Sequence, residues 1–379
     1  MNKFKLFFSI FLIAIVINLL SFAIYIFLNN SEEKKENNPI KQEVSSDLEN
    51  SLINSIDYAW ESVVSIVVTR DLNNYYEDPF DFFWSRTEER REKIGWGSWI
   101  IVSKDWYILT NKHVISEAKW RSTNFTVVTR DWREFNVENI WFDPILDIAI
   151  LRIEDSNGSE PSDLMPADFV SVFDEIKIWQ FVIAIWNALS QFQDTATFGI
   201  VSWKWRQLED VPADSLYVWL YQTDAPINPW NSGGPLLDIN GNIIGVNTAI
   251  SAMWQWIWFS IPVNKEFLKT TLNMIEEYWE IKRPFLWIEH MNLNRWVANR
   301  KDIKYNKWVY VEDVVSWTVA DKAGIKKWDI ITHVDWLEVW KWEPFLYQLF
   351  IYAPGNEVEF TIISDWEEKK ITVELGDRK

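Results

Sequence analysis

Hydrophobic residues along this chain follow three patterns. From Leu6 to Leu28 they run almost unbroken, interrupted only by Ser9, Asn18 and Ser21. About 20 apolar residues are enough for a helix to cross a bilayer, so the run predicts a transmembrane anchor over residues 6–28. Lys3 and Lys5 precede it, which keeps residues 1–5 cytoplasmic and places the rest of the chain outside the cytoplasmic membrane. A cleaved signal peptide would end near Ser21-Phe22-Ala23, but the apolar run continues past that point and favours an uncleaved helix. Residues 29–50 are polar and charge-mixed, as in Ser31-Glu-Glu-Lys-Lys-Glu, and read as a flexible linker.

From Ser62 onward the pattern changes to short β-type runs separated by turn residues. They are Val63–Val68, Ile100–Val102, Tyr107–Thr110, Phe125–Val128, Ile148–Leu151, Phe181–Ile185 and Ile243–Val246. Even spacing of this kind predicts an all-β barrel or sandwich. The segment from Asp71 to Lys93 breaks the rhythm and reads as a long exposed loop. The third pattern is helical: Val263 to Trp279 carries Phe267, Leu268, Leu272 and Ile275 at helical spacing. These shifts divide the body into a β-rich domain over residues 51–280 and a smaller domain over residues 281–379.

Composition adds one anomaly. The chain has 379 residues, with 27 Trp against 11 Gly, whereas glycine averages about 7% of residues. The tryptophans stand where turns call for glycine. Asp-Trp recurs at Asp105-Trp106, Asp131-Trp132, Asp335-Trp336 and Asp365-Trp366, each between extended segments. Lys-Trp recurs at Lys119-Trp120, Lys204-Trp205, Lys307-Trp308, Lys327-Trp328 and Lys341-Trp342. Genuine tryptophan concentrates in cores and interfaces. The pattern predicts a gene whose UGA codons specify glycine and have been rendered as tryptophan. A Trp-rich glycan binder is the rival, but its platforms would cluster rather than spread from Trp60 to Trp366.

Charge and cysteine content exclude more than they assign. A net charge of −18 argues against nucleic acid as a partner. With no cysteine there is neither disulfide nor thiol chemistry.

Candidate chemistry centres on Gln222–Leu236, where Ser232 occupies a tight polar turn followed by Gly233, Gly234 and Pro235. A serine in a turn ahead of a strand is how hydrolases expose a nucleophile. His113, one of only three histidines, follows the strand Tyr107–Thr110. Asp147 is an acid set inside the apolar run Asp143-Pro-Ile-Leu-Asp-Ile-Ala-Ile-Leu. A buried carboxylate needs a donor, and an imidazole N–H supplies one. The order His, Asp, Ser is far more specific than any member. His290 and His333 fall in the smaller domain and read as structural.

These segments resemble the HtrA (Deg) family of trypsin-like serine proteases. The matching pieces are Ser98–Ile115, Asp143–Leu151, Phe198-Gly-Ile-Val-Ser and Asp224–Leu236, each fitting best with Trp read as Gly. The resemblance covers roughly residues 50 to 375. It implies a mainly β fold, with a double six-stranded β-barrel followed by an α+β PDZ domain. In it His113 is the general base, Asp147 its orienting acid and Ser232 the nucleophile. The backbone N–H groups of Ser232 and Trp230 form the oxyanion hole, which a literal Trp230 would disturb. Ile227 and Ile257 line a pocket for small apolar side chains, and Arg206 is a regulatory-loop arginine. Phe285, Leu286, Trp287 and Ile288 match the loop that receives a peptide carboxylate. No metal or cofactor is implied. The implied partners are unfolded polypeptides, C-terminal peptides at the PDZ domain, the membrane through the N-terminal helix, and further copies of the chain in a homotrimer. A peptide-binding chaperone with a malformed cleft is the non-enzymatic alternative.

Overall fold

The computed structural model describes residues 20, 39–71, 91–116, 123–155, 164–172, 174–188, 192–208, 215–228, 231–248, 257–339 and 344–378. Only Leu20 of the apolar N-terminal run is among them, so the anchor expected over residues 6–28 lies outside the described residues. No helix among the described residues is long and apolar enough to cross a membrane. The chain divides into two compact units, Met1–Ile53 and Asn54–Lys379. Helix α1 spans Pro39–Trp60, so the last part of the expected linker is helical. Proline is tolerated in a first helical turn, and Leu48, Leu52, Ile56 and Ala59 recur at helical spacing behind it.

Residues Asn54–Lys379 are mainly β. Strands β1 (Val63–Asp71), β2 (Arg91–Ile101), β3 (Tyr107–Thr110), β4 (Thr123–Val128), β5 (Glu134–Phe142) and β6 (Ala149–Asp155) form a closed barrel in the order β1-β2-β3-β6-β5-β4. A second closed barrel follows, in the order β10-β11-β12-β9-β8-β7. Its strands are β7 (Phe181–Ala188), β8 (Phe192–Arg206), β9 (Leu220–Thr223), β10 (Pro235–Leu237), β11 (Ile243–Thr248) and β12 (Trp258–Pro262). Closure pairs every strand on both sides and leaves no free edge. The double six-stranded barrel expected from the sequence is present.

Each barrel carries its own core. Ile66, Trp99, Ile108, Val127 and Leu151 fill the first, and Val182, Ala184, Val201, Leu236 and Ile244 fill the second. Each buried aliphatic side chain contributes roughly 1.5–3 kcal/mol. Bonds across the barrels fix their relation: the Asn187 N–H donates to Ser98 Oγ (2.8 Å), and Ser65 Oγ donates to the Asn187 carbonyl (2.5 Å).

Helix α3 (Lys265–Tyr278) follows the second barrel, as its periodicity predicts. Asn264 caps it by accepting from Phe267 N–H (2.8 Å), and Phe267, Leu268, Thr271, Met274 and Ile275 form its buried face. The smaller domain then contains β13 (Pro284–Phe285), which pairs with β20 (Gly376–Asp377). A sheet in the order β14-β15-β16-β18-β19 follows, with β17 (Leu337–Glu338) pairing with β16. These strands span Ile288–Asn292, Val309–Val314, Ile330–Val334, Glu357–Ser364 and Glu367–Glu374. Short helices α4 (Arg295–Lys301), α5 (Val319–Ala323) and α6 (Phe345–Leu349) complete an α+β arrangement over a core that includes Leu286, Val311, Phe345 and Phe360.

Candidate active site

The first barrel presents an imidazole held by a buried acid. Strand β3 ends at Thr110, and the chain turns into the short helix α2 (Lys112–Ser116), which carries His113. His113 Nδ1 lies 2.6 Å from Asp147 Oδ2, and the His113 backbone N–H donates to Asp147 Oδ1 at 2.9 Å. Asp147 is 1% exposed. Tyr217 Oη and Thr248 Oγ1 also donate to Oδ2, at 3.2 and 3.4 Å, and Asn111 Nδ2 donates to the Asp147 carbonyl at 3.0 Å. These donors compensate the desolvation of the carboxylate. With Nδ1 engaged, the other ring nitrogen is left as the proton acceptor.

The loop carrying Asp147 is itself anchored. Asp143 is fully buried, and its Oδ1 accepts from the N–H groups of Ile145 and Leu146, both at 2.8 Å. Its Oδ2 accepts from Arg283, with Nε at 2.8 Å and Nη2 at 2.7 Å. Arg283 lies just beyond α3, donates from Nη2 to Thr271 Oγ1 (2.9 Å), and stacks over Phe267 of that helix and Phe350 beyond α6. Sequence reading missed Arg283. An isolated arginine after a helix gives no local sign of a partner 140 residues away.

Ser232 enters from the second barrel. Its turn is closed by N–H donation from Asn231 to the Asn228 carbonyl (3.1 Å), from Gly234 to the Asn231 carbonyl (3.0 Å), and from Gly233 to the Asn247 carbonyl (2.9 Å). Gly233 has φ +83°, and a Cβ there would collide with Thr110 Oγ1 and the Ser98 carbonyl of the first barrel. Only glycine lets the serine turn press against the strand end that leads into His113. The structure therefore brings the loops of His113, Asp147 and Ser232 to the seam between the barrels, with Ser232 itself 1% exposed.

Comparison with known proteins agrees with this fold. The trypsin-like peptidase domain family matches residues 97–246. The periplasmic pH-dependent serine endoprotease DegQ of Escherichia coli is 32% identical over 287 residues, covering 75% of this chain and 59% of that protein. The serine protease HhoA of Synechocystis is 30% identical over 282 residues, covering 71% of this chain and 68% of that protein. A solved structure of the HtrA-type protease AlgW with a decapeptide aligns at TM-score 0.58 and 27% identity, over 86% of this chain and 99% of the other. This chain belongs to the HtrA (Deg) family of serine proteases. It spans 60% and 64% of the length of two further curated relatives, from Hahella chejuensis and Haemophilus influenzae.

The remaining residues singled out in this HtrA-family chain are dispersed. Trp230 lies outside the described residues. Ile227 is 4% exposed and packed into the core of the second barrel, while Ile257 is half-buried just before β12. Arg206 ends β8, donates from Nε to Gln222 Oε1 (2.9 Å), and stacks over Trp203. In the smaller domain Phe285 pairs with Gly376, Leu286 is fully buried, Trp287 has φ 54°, and Ile288 opens β14. Phe285 lines a cavity of about 310 Å³ together with His290, Phe345, Leu346 and Arg378. Ile145, two residues before Asp147, and Leu216, next to Tyr217, line the same cavity.

Proposed function

We propose that this chain is a membrane-anchored, extracytoplasmic serine endopeptidase that degrades misfolded or regulatory proteins. The observation that carries this reading is the 2.6 Å contact between His113 Nδ1 and the buried Asp147 carboxylate. His113 takes the hydroxyl proton of Ser232 as the oxygen attacks the scissile carbonyl, then returns that proton to the leaving amine. Water repeats the sequence to hydrolyse the acyl-enzyme. Asp147 fixes the tautomer and stabilises the imidazolium. The N–H groups of Ser232 and position 230 receive the developing oxyanion. Ile227 and Ile257 shape a pocket for small apolar side chains.

The periplasmic naming of the DegQ relative supports an extracytoplasmic catalytic domain, and the apolar run over residues 6–28 is the reason for reading an anchor. The smaller domain acts as a PDZ domain, taking a peptide C-terminus at Phe285–Ile288, with Arg206 relaying occupancy to the active site. Solved structures of AlgW with a decapeptide and with a tripeptide support a peptide ligand. The working assembly is a homotrimer. The protein should hydrolyse an unfolded substrate such as casein, and Ser232→Ala should lower kcat by roughly six orders of magnitude. Full activity in the alanine variant would remove Ser232 from the mechanism.

A further inference from the structure

Left-handed backbone among the described residues is confined to three residue types. Glycine adopts it at Gly233, Gly241, Gly324 and Gly355, and aspartate at Asp302, Asp335 and Asp365. Every other instance is a tryptophan: Trp106, Trp132, Trp179, Trp205, Trp219, Trp279, Trp287, Trp308, Trp317, Trp328 and Trp366, with φ between 54° and 81°. Glycine enters this region freely and aspartate tolerates it. A bulky aromatic with a Cβ is strained there. One such residue marks a local constraint. Eleven of one type, in both barrels and the smaller domain, mark a rule about that type.

Their local settings are those that select glycine. Trp279 ends α3 in the left-handed conformation, with its N–H donating to the Ile275 carbonyl at 2.9 Å, the usual place of a C-terminal glycine. Asp365 (φ 53°) and Trp366 (φ 69°) form a two-residue hairpin loop between the paired Ser364 and Glu367. A loop with both residues at positive φ is the Asp-Gly type.

Six of the eleven indoles gain little where they are, while Trp205 and Trp219 do meet aromatic neighbours. Trp132, Trp179, Trp279, Trp317, Trp328 and Trp366 are 58–85% exposed, so most of the ring surface stays in water. Trp205 is at the opposite extreme, with a buried indole N–H that has no hydrogen-bond partner. Trp308 does donate to Glu338 Oε1 at 2.9 Å, but at the surface, where such a bond contributes little. The exposed rings belong to different domains, so they make no shared stacking platform.

We propose that the working protein carries glycine at these eleven positions, the codon there being decoded as glycine. At Trp287 and Trp219 the exchange also changes the peptide-receiving region. Trp287 packs against Phe285 and against Gly376, and Trp219 lines the 310 Å³ cavity beside Phe350. Glycine at position 219 enlarges that cavity, and glycine at position 287 opens space beside Gly376 in the β13–β20 pair. The proposal rests on backbone conformation and holds whether or not the enzyme reading does.

The test is peptide sequencing by mass spectrometry of the protein isolated from its source cells, across positions 279, 317, 328 and 366. Glycine at these positions is the expected result, and tryptophan there overturns the proposal. A second measurement uses the chain expressed with tryptophan, or its thermally unfolding soluble fraction. Trp328→Gly and Trp366→Gly should each raise Tm, because they relieve left-handed strain. Trp296→Gly, in the first turn of α4 on ordinary helical backbone, should lower it, because glycine relieves no strain there and adds freedom to the unfolded chain. Equal losses of Tm in all three variants would contradict the conformational argument.

Discussion

His290 shows how one side chain records the packing around it. It lies in β14 and meets Phe345 of α6 edge to face, with ring centroids 5.4 Å apart. Burial depresses its pKa, and the nearby Glu312 carboxylate and the Ile288 backbone oppose that shift only in part. An ordinary histidine titrates near about 6.5, so between that value and the depressed one the unfolded chain binds more protons than the folded one. Stability is therefore fully present above about 6.5 and is lost as pH falls through that window. Thermal unfolding should show Tm falling from about pH 7 to about pH 5, and His290→Phe should reduce that fall. An undiminished fall in the variant would mean that other groups set the acid sensitivity. Asp147 and Ser232 illustrate what single residues reveal before folding. Taken singly, an acid inside an apolar run and a serine before two glycines are ordinary, and it is their order with His113 that marks them in the sequence.

At the scale of elements, the Asp143–Asp147 loop and α3 form one mechanical piece. Arg283 joins them, and both Arg283 and Asp143 are fully buried as an ion pair at 2.7 Å. Removing one partner of a buried pair leaves an uncompensated charge, at a cost of roughly 3–5 kcal/mol. Arg283→Met should lower Tm and also lower kcat with little change in KM, because the loop it releases carries the acid that orients His113. Adding Asp143→Asn should recover part of the lost Tm, since the stranded charge is then gone. A kcat that stays at the native value in folded Arg283→Met would separate this ion pair from catalysis.

Elements also differ in how well the sequence announces them. Strands β3 and β11, buried at every position, stand out as short apolar runs, and α3 stands out by its spacing. Strand β8 does not, because Phe192–Arg206 mixes threonine, glycine and charged residues along fifteen positions. The helical stretch from Pro39 was hidden for a similar reason. Its first turns are polar, and only the later apolar positions reveal its period.

For the whole molecule, the evenly spaced β-type runs announce a barrel or sandwich and the family resemblance implies two six-stranded barrels, but neither gives their seam. The seam depends on Gly233 against Thr110 and on Ser98 with Asn187, contacts between segments far apart in sequence. Tyr217 and Thr248 reach Asp147 from the second barrel in the same way, so each barrel supplies part of the site. The central claim is that this seam makes Ser232 a nucleophile. It is tested most directly by treating the protein isolated from its source cells with a serine-directed fluorophosphonate and locating the adduct by peptide sequencing. A single adduct on Ser232, lost in His113→Ala, is the predicted result. An adduct on another residue, or labelling of Ser232 that persists unchanged without His113, would contradict the account.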